Sequence, residues 1–273
     1  MTAGSSGASS VEAAGERIVS NPDAPASLRA LGKDDLPETI ELAAGTFRHV
    51  RTLQHSFFAA TGLYADERGE QRLFKAARQA PLFGLPTRFL GRILTRRELA
   101  LYEACRGIDG TPDAFEAVGD AALARPFIAG HPLARGERVD DEFFPRLQAL
   151  LAELHARDVA FVDLQKCDNV LVGDDGRPHL FDFQASWRLA PRSERGWLRL
   201  VPERLLRYVL EHLQESDRFH VRKHWRRCRP DTIPADELAS TSRPSLWIRA
   251  HRVVHNRWRA LRRRLRGDGP EDR

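Results

Sequence analysis

Apolar and polar positions change rhythm several times along the chain. The first 36 residues are rich in Ala, Gly, Ser and Asp and show no steady period, which predicts a disordered segment with at most a short helix near 26–31. From Thr46 the pattern alternates: Phe47, His49, Arg51 and Leu53 are expected on one strand face. A second run covers Phe57–Ala65 and, after the turn Asp66–Gly69, a third covers Gln71–Ala77. On the third strand Leu73 and Lys75 share a face and Phe74 points the other way. A long connection follows from Gln79 to Leu94, with Pro81, Gly84, Pro86 and Gly91. Helical spacing then predicts a helix over Thr95–Cys105, with Leu99, Tyr102 and Cys105 or Ala104 as its buried stripe. Two more strands are expected before Ala129.

Beyond Gly130 the period becomes helical. The acids Asp140, Asp141 and Glu142 open a helix whose core stripe is Phe144, Leu147, Leu150, Leu151 and Leu154, and His155 at its end reads as structural. A small hairpin follows, Val170–Val172 and His179–Phe181 around the turn Gly173–Gly176. Two further helices are expected, Glu203–Gln214 and Ser216–Arg227. The reading is an α+β chain: a segment 1–36, a small β-rich lobe over 37–129, a mainly helical lobe over 130–237 and a basic tail over 238–273.

Composition changes this picture in three places. With 42% hydrophobic and 30% charged residues, the 273-residue chain can bury a sizeable core and reads as soluble. No apolar run is long enough to cross a bilayer and the first residues do not resemble a signal peptide, which predicts a cytoplasmic location. Three cysteines without metal-type spacing fit a reducing compartment. Charge is uneven: from Leu238 onward ten arginines face three acids, net +7 against a whole-chain +5, so the basicity belongs to the tail. Within it, Trp247, His251, Val254, Trp258, Leu261 and Leu265 recur at helical spacing and arginines fill the rest. That pattern fits a helix lying on an anionic membrane surface, or one packing its apolar stripe on the body of the protein. No zinc spacing or aromatic β platform accompanies it, which argues against nucleic acid as the partner.

The chemistry concentrates between Leu154 and Trp187. Asp163, Lys166 and Asn169 share one loop, and Asp182 follows the hairpin, so two carboxylates and a carboxamide bracket a compact unit. Hard oxygen donors of this kind suit Mg²⁺, which takes one or two carboxylates together with phosphate oxygens. Lysine is rare here: Lys33, Lys75, Lys166 and Lys223 are the only four among 43 basic Lys and Arg residues. A lysine kept in so arginine-biased a chain points to a need for a compact charge.

These motifs, Val162-Asp163-Leu164, Asn169-Val170-Leu171-Val172, Gly176-Arg177-Pro178 and Asp182-Phe183-Gln184, resemble the protein-kinase-like phosphotransferases over roughly 46–227. The likeness is closer to bacterial kinases of the lipopolysaccharide-core and Kdo type, and to related bacterial serine/threonine kinase-like proteins. The resemblance implies a two-lobed kinase-like fold with an abbreviated second lobe. It implies ATP and Mg²⁺ as cofactors, with Asp163 as catalytic base, Lys166 beside the γ-phosphate, and Asn169 and Asp182 on metal. Lys75 would hold the α- and β-phosphates. Glu98 would partner Lys75, with Glu103 as its rival on the same helix. Ser56 and nearby backbone would cover the phosphates in place of a glycine-rich loop, and backbone near Phe127–Gly130 would meet adenine.

The chain departs from the pattern at three points. Asn169 stands six residues after Asp163 rather than five, so either one residue bulges or Asp168 takes the metal. Phe161 replaces the usual His, and Gln184 the usual Gly. No Ala-Pro-Glu motif follows, and the 186–202 segment is short for a peptide platform. The expected function is transfer of the γ-phosphate to a hydroxyl, on a sugar of lipopolysaccharide core or a related envelope glycolipid, by a protein peripheral to the inner membrane. The other readings are an atypical protein serine/threonine kinase and an inactive kinase-fold module that binds a membrane or partner.

Overall fold

A computed structural model describes residues 29–81 and 87–240. The tail helix expected over 246–266 and most of the segment before residue 37 lie outside them. Eleven strands and four helices alternate in the order β1 (Thr39–Leu42), β2 (Gly45–His55), β3 (Ala59–Ala65), β4 (Gln71–Ala77), α1 (Arg88–Cys105), β5 (Glu116–Val118), β6 (Ala122–Pro126), β7 (Gly130–Pro132), α2 (Phe143–Ala156), β8 (Val159–Ala160), β9 (Val170–Gly173), β10 (Pro178–Leu180), β11 (Trp187–Arg188), α3 (Glu203–Cys228) and α4 (Ala235–Ser240). The α+β class expected from the sequence is the one observed. The chain forms two compact units: the described residues up to Leu133 with Asp168–Gln184, and Ala134–Cys167 with the described residues from Ala185 on.

The first unit is built on a six-stranded antiparallel sheet in the order β1-β2-β3-β4-β6-β5. One face carries the apolar core, with Phe47, Tyr64 and Phe74 packed on Leu36, Ile40 and Leu42. The other face carries a smaller cluster, Leu53, Leu63 and Leu73, against Phe127. The sequence pattern assigns Phe47 and Leu53 to one face; the structure separates them. Register shifts lie between His49 and Arg51 and between Thr52 and Gln54. The first leaves Val50 unpaired and 54% exposed, and inverts the alternation beyond it.

Strand β1 was not expected. Its four residues, Thr39–Leu42, are too few for a period to register, but Ile40 and Leu42 close the apolar core beside Phe47. Helix α1 begins seven residues earlier than the pattern predicts, at Arg88 rather than Thr95. Gly91, expected as a breaker, lies inside the helix because it lets α1 approach the chain leaving β4: a Cβ there would stand 2.3 Å from the Arg78 carbonyl oxygen. The buried stripe runs through Thr95, Glu98, Leu101, Tyr102 and Cys105, so Leu101 takes the place expected of Leu99.

The same unit holds a second, three-stranded sheet, β10-β9-β7. Gly130 pairs with Gly173 there at φ +151°, and a Cβ on Gly130 would lie 2.3 Å from the Val172 carbonyl oxygen. Only glycine permits that approach.

In the second unit the stripe Phe143, Phe144, Leu147, Leu150, Leu151 and Leu154 is buried on α2, which starts just after the three acids rather than on them. Strands β8 and β11 pair antiparallel. The two helices expected over 203–227 are a single 26-residue helix, α3. No Gly or Pro falls within it. Gln214, Ser216 and Asp217, where the two were expected to meet, are buried, with Asp217 and Gln214 bonded to backbone of the α2–β8 region and beyond.

A continuous α3 makes a test at Glu215, whose side chain is exposed. Glu215→Pro should destabilise the protein by about 3 kcal/mol or more, because the ring removes a helical hydrogen bond and clashes with the preceding turn. Denaturant unfolding followed by far-ultraviolet circular dichroism reads this; an unchanged midpoint would mean the chain breaks there.

Candidate active site

Strand β4 lies inside the six-stranded sheet, between β3 and β6, so its side chains are held from both sides. Lys75 extends from the face that also carries Leu73. Its ammonium donates to Glu98 Oε1 on α1 at 2.9 Å and to Asp182 Oδ1, just beyond β10, at 3.2 Å. Glu98 is 3% exposed and the Lys75 side chain 13%. Glu103, the rival partner, is exposed and pairs with Arg106.

The pKa directions follow from this geometry. Burial works to lower the Lys75 pKa, but the Asp182 and Glu98 carboxylates together outweigh it and raise it. Burial likewise works to raise the Asp182 pKa; the Lys75 ammonium, the Gln184 N–H and Arg125 prevail and lower it. Asp182 therefore stays ionised, and its side chain, 42% exposed, keeps oxygen lone pairs open to a ligand.

Two residues of this cluster went unnoticed as site residues in the sequence. Tyr102, one turn beyond Glu98, has its hydroxyl 3.0 Å from Glu98 Oε1 and 2.8 Å from the Phe181 carbonyl oxygen. Its ring meets Phe183 edge-on, with centroids 5.3 Å apart. Tyr102 thus ties the helix that bears Glu98 to the segment that bears Asp182. The signal was its i,i+4 relation to Glu98. Arg125, a guanidinium in the otherwise apolar strand β6, is the second; it is 5% exposed and its charge acts on both Tyr102 and Asp182.

Asn169 and Asp168 belong to the same unit, in a 3₁₀ turn, Cys167–Asn169, that begins one residue ahead of it and leads into β9. Asp168 is exposed and Asn169 half-buried, with Val170 directly after it in strand register. Ser56 sits in the turn between β2 and β3. Its hydroxyl donates to the Ala59 carbonyl at 3.0 Å and its N–H donates to the same oxygen at 2.9 Å, so contact with a phosphate requires those bonds to open.

Asp163 and Lys166 are residues of the second unit, half-buried and exposed respectively. The Asp163 N–H donates to the Phe161 carbonyl at 2.9 Å across Val162, whose φ is +71°. This is a γ-turn of the rare positive-φ kind, strained for any residue and more so for a β-branched one. It persists because its surroundings over-determine it. Asp217, fully buried on α3, accepts from the Phe161 N–H at 2.7 Å and the Val162 N–H at 2.8 Å. Ser186 donates to the Phe161 carbonyl at 3.1 Å, and His224 Nε2 lies 2.8 Å from the Leu164 carbonyl. The backbone ahead of Asp163 is therefore braced from α3. His155 has the structural role expected, with Nε2 3.3 Å from Asp217 Oδ2. Burial raises the Asp217 pKa, against the His155 and backbone donors that lower it. No sequence pattern singles out Asp217 among the many charged residues of α3.

No protein-family model matches the sequence, and no curated protein matches it. Among solved structures it is similar to a Rio2 kinase–ADP/Mg²⁺–phosphoaspartate complex from Chaetomium thermophilum, at 17% identity and a TM-score of 0.45, covering 67% of this chain and 57% of that one. It is similar too to a second crystal structure of the Rio2 kinase from that organism, at 16% identity and a TM-score of 0.46, covering 67% and 59%. The chain thus spans less than two thirds of the length of these structures.

Two predictions follow from the hydrogen bonds. Tyr102→Phe keeps the ring contact with Phe183 and removes the tie to Glu98. It should leave the stability to unfolding within about 1 kcal/mol of the parent, as read by denaturant unfolding. Asp217→Asn keeps one acceptor but turns an amino group toward a backbone N–H. It should cost about 1–3 kcal/mol of stability, as read by denaturant unfolding.

Proposed function

We propose that the chain is an ATP- and Mg²⁺-dependent phosphotransferase that moves the γ-phosphate to a hydroxyl acceptor. The observation that carries this reading is the Lys75 ammonium, held between Glu98 and Asp182 in the first unit. A fixed ammonium beside an ionised, partly open carboxylate fits a metal–triphosphate. Among the described residues no group of three or more His, Cys, Asp or Glu could hold a metal ion alone. That agrees with Mg²⁺ bound by one or two protein oxygens and completed by phosphate.

In this reading Lys75 binds phosphate oxygens and Glu98, fixed by Tyr102, keeps the ammonium in place. Asp182 and Asn169 offer the oxygens for metal. The bound metal–nucleotide supplies a γ-phosphorus whose charge is already partly neutralised. Asp163 orients the acceptor hydroxyl and accepts its proton at the carboxylate, from a backbone that Asp217 holds in a strained turn. Lys166 offsets negative charge near the transferred group. Positioning and electrostatics supply most of the acceleration in this chemistry.

The acceptor we propose is a sugar hydroxyl of lipopolysaccharide core or a related anionic envelope glycolipid, met at the cytoplasmic face of a membrane. The motif resemblance supports this choice. So does the short segment of 3₁₀ turns, Arg192–Glu194 and Gly196–Leu200, between β11 and α3. The arginine-rich tail adds cationic surface for such a substrate. No helix among the described residues is long and apolar enough to cross a membrane.

The test is incubation with γ-labelled ATP and Mg²⁺ against separated envelope lipid and protein fractions. Label should enter the glycolipid fraction; label confined to protein would move the acceptor to a serine or threonine. Asp163→Asn should abolish transfer and leave nucleotide affinity within a few-fold, whereas Asp182→Ala should remove the Mg²⁺-dependent part of that affinity. Asn169→Ala should be nearly inactive and Asp168→Ala nearly normal; the opposite pair would assign the metal to Asp168.

A further inference from the structure

The first unit contains an open pocket in which Leu73, Phe127, Ile128, Leu171 and Phe181 line the space beside Arg125. The rest of the lining is apolar, so a buried guanidinium is its one charged group. Arg125 spends one donor on the Pro126 carbonyl at 3.1 Å, and its guanidinium carbon lies 5.7 Å from the centre of the Phe181 ring. Among the described residues it forms no ion pair. A guanidinium has five N–H donors and no acceptor. None of its nitrogens is a sealed orphan, so the donors left over stay reachable, and a ligand that supplies acceptors for them is favoured.

The lining is apolar apart from this fork and includes two aromatic rings, Phe127 and Phe181, which suits an aromatic heterocycle. Its chemistry sorts the heterocycles. A guanidinium pairs in two parallel bonds with adjacent acceptors, as with O6 and N7 of guanine. Adenine offers N7, but in place of O6 it presents an amino group, a donor that would face the donors of Arg125. Because Leu73 lies on the strand that carries Lys75 and Phe181 directly precedes Asp182, a base there belongs to the nucleotide whose phosphates that cluster would hold.

We infer that the base pocket accepts a 6-oxopurine, so that GTP and ITP serve as phosphoryl donors at least as well as ATP, with Arg125 as the specificity-determining residue. This rests on the phosphotransferase reading and extends it to the identity of the donor. ATP remains a substrate through N7 and stacking; the 6-oxo group adds the second bond.

The experiment is calorimetric titration of the full chain with ATP, GTP, ITP and 7-deaza-GTP in Mg²⁺, followed by the same series on Arg125→Met. For the parent protein, GTP and ITP should bind at least as tightly as ATP. Loss of N7 in 7-deaza-GTP should weaken binding about tenfold, in the range of one lost bidentate contact. Arg125→Met should reverse the order, weakening GTP and ITP about tenfold relative to ATP. GTP and ITP binding more weakly than ATP in the parent would overturn this inference and leave the phosphotransferase reading standing. Binding of none of the four would overturn both. The parent series needs no variant, so it decides the matter even where Arg125→Met does not fold; an Arg125→Met protein that folds and keeps the parent's order also overturns the role of Arg125.

Discussion

A single buried ammonium organises the first unit. Lys75 is held from two directions, by Glu98 on α1 and by Asp182 beyond β10, and neither arrangement survives without the other elements in place. Taking a lysine and a glutamate out of water costs several kcal/mol per charge, which their attraction offsets only with good geometry. The sheet provides that geometry by fixing β4 between two neighbours, and Gly91 provides it by letting α1 come close. Tyr102 completes it from the other side, tying Glu98 to the Phe181 carbonyl. Such a cluster is a poor device for stability, since apolar residues of the same volume do as well. It is a good device for presenting one positive and one negative group at defined places.

The second unit solves a different problem with the same means. A carboxylate on a short loop has many available directions, and the loop before Asp163 is confined to one by a strained turn at Val162. Positive φ at a β-branched residue is a cost the chain would shed if it could. Asp217 prevents this by accepting two adjacent N–H groups that no strand pairs. Here too a buried acidic group is kept: burial pushes its carboxyl upward, against His155 and the backbone donors that work to lower it. In each unit, then, a desolvated carboxylate is spent on direction rather than on cohesion.

Much of this was legible in the sequence wherever the signal was local. The hairpin around Gly173–Gly176 announced itself by turn residues between apolar runs, and Lys75 by its rarity among arginines. Glu98 could be named because one helix offered two candidates and only one lies on the buried stripe. What escaped was non-local. The bulge at Val50 leaves no mark in composition, yet it sends Leu53 to the opposite face from Phe47. The single helix α3 was expected as two, and the backbone groups that Gln214 and Asp217 serve, some 55 residues earlier in the chain, account for the burial of these two polar side chains. Arg125 was passed over because a charged residue in a short strand is ordinary until the pocket residues beside it are seen to be apolar.

The central claim is that the Lys75 cluster receives the phosphates of a nucleotide. The scarcity of lysine permits a direct measurement: treat the full chain with a nucleotide acyl phosphate, which transfers its acyl group to an amine held against the phosphates, and map the product by peptide mass spectrometry. Only Lys33, Lys75, Lys166 and Lys223 can carry the label. Acylation of Lys75, with or without Lys166, and its suppression by excess Mg²⁺–nucleotide is the predicted result. Label spread over Lys33 and Lys223 as well, or unaffected by competing nucleotide, would contradict it.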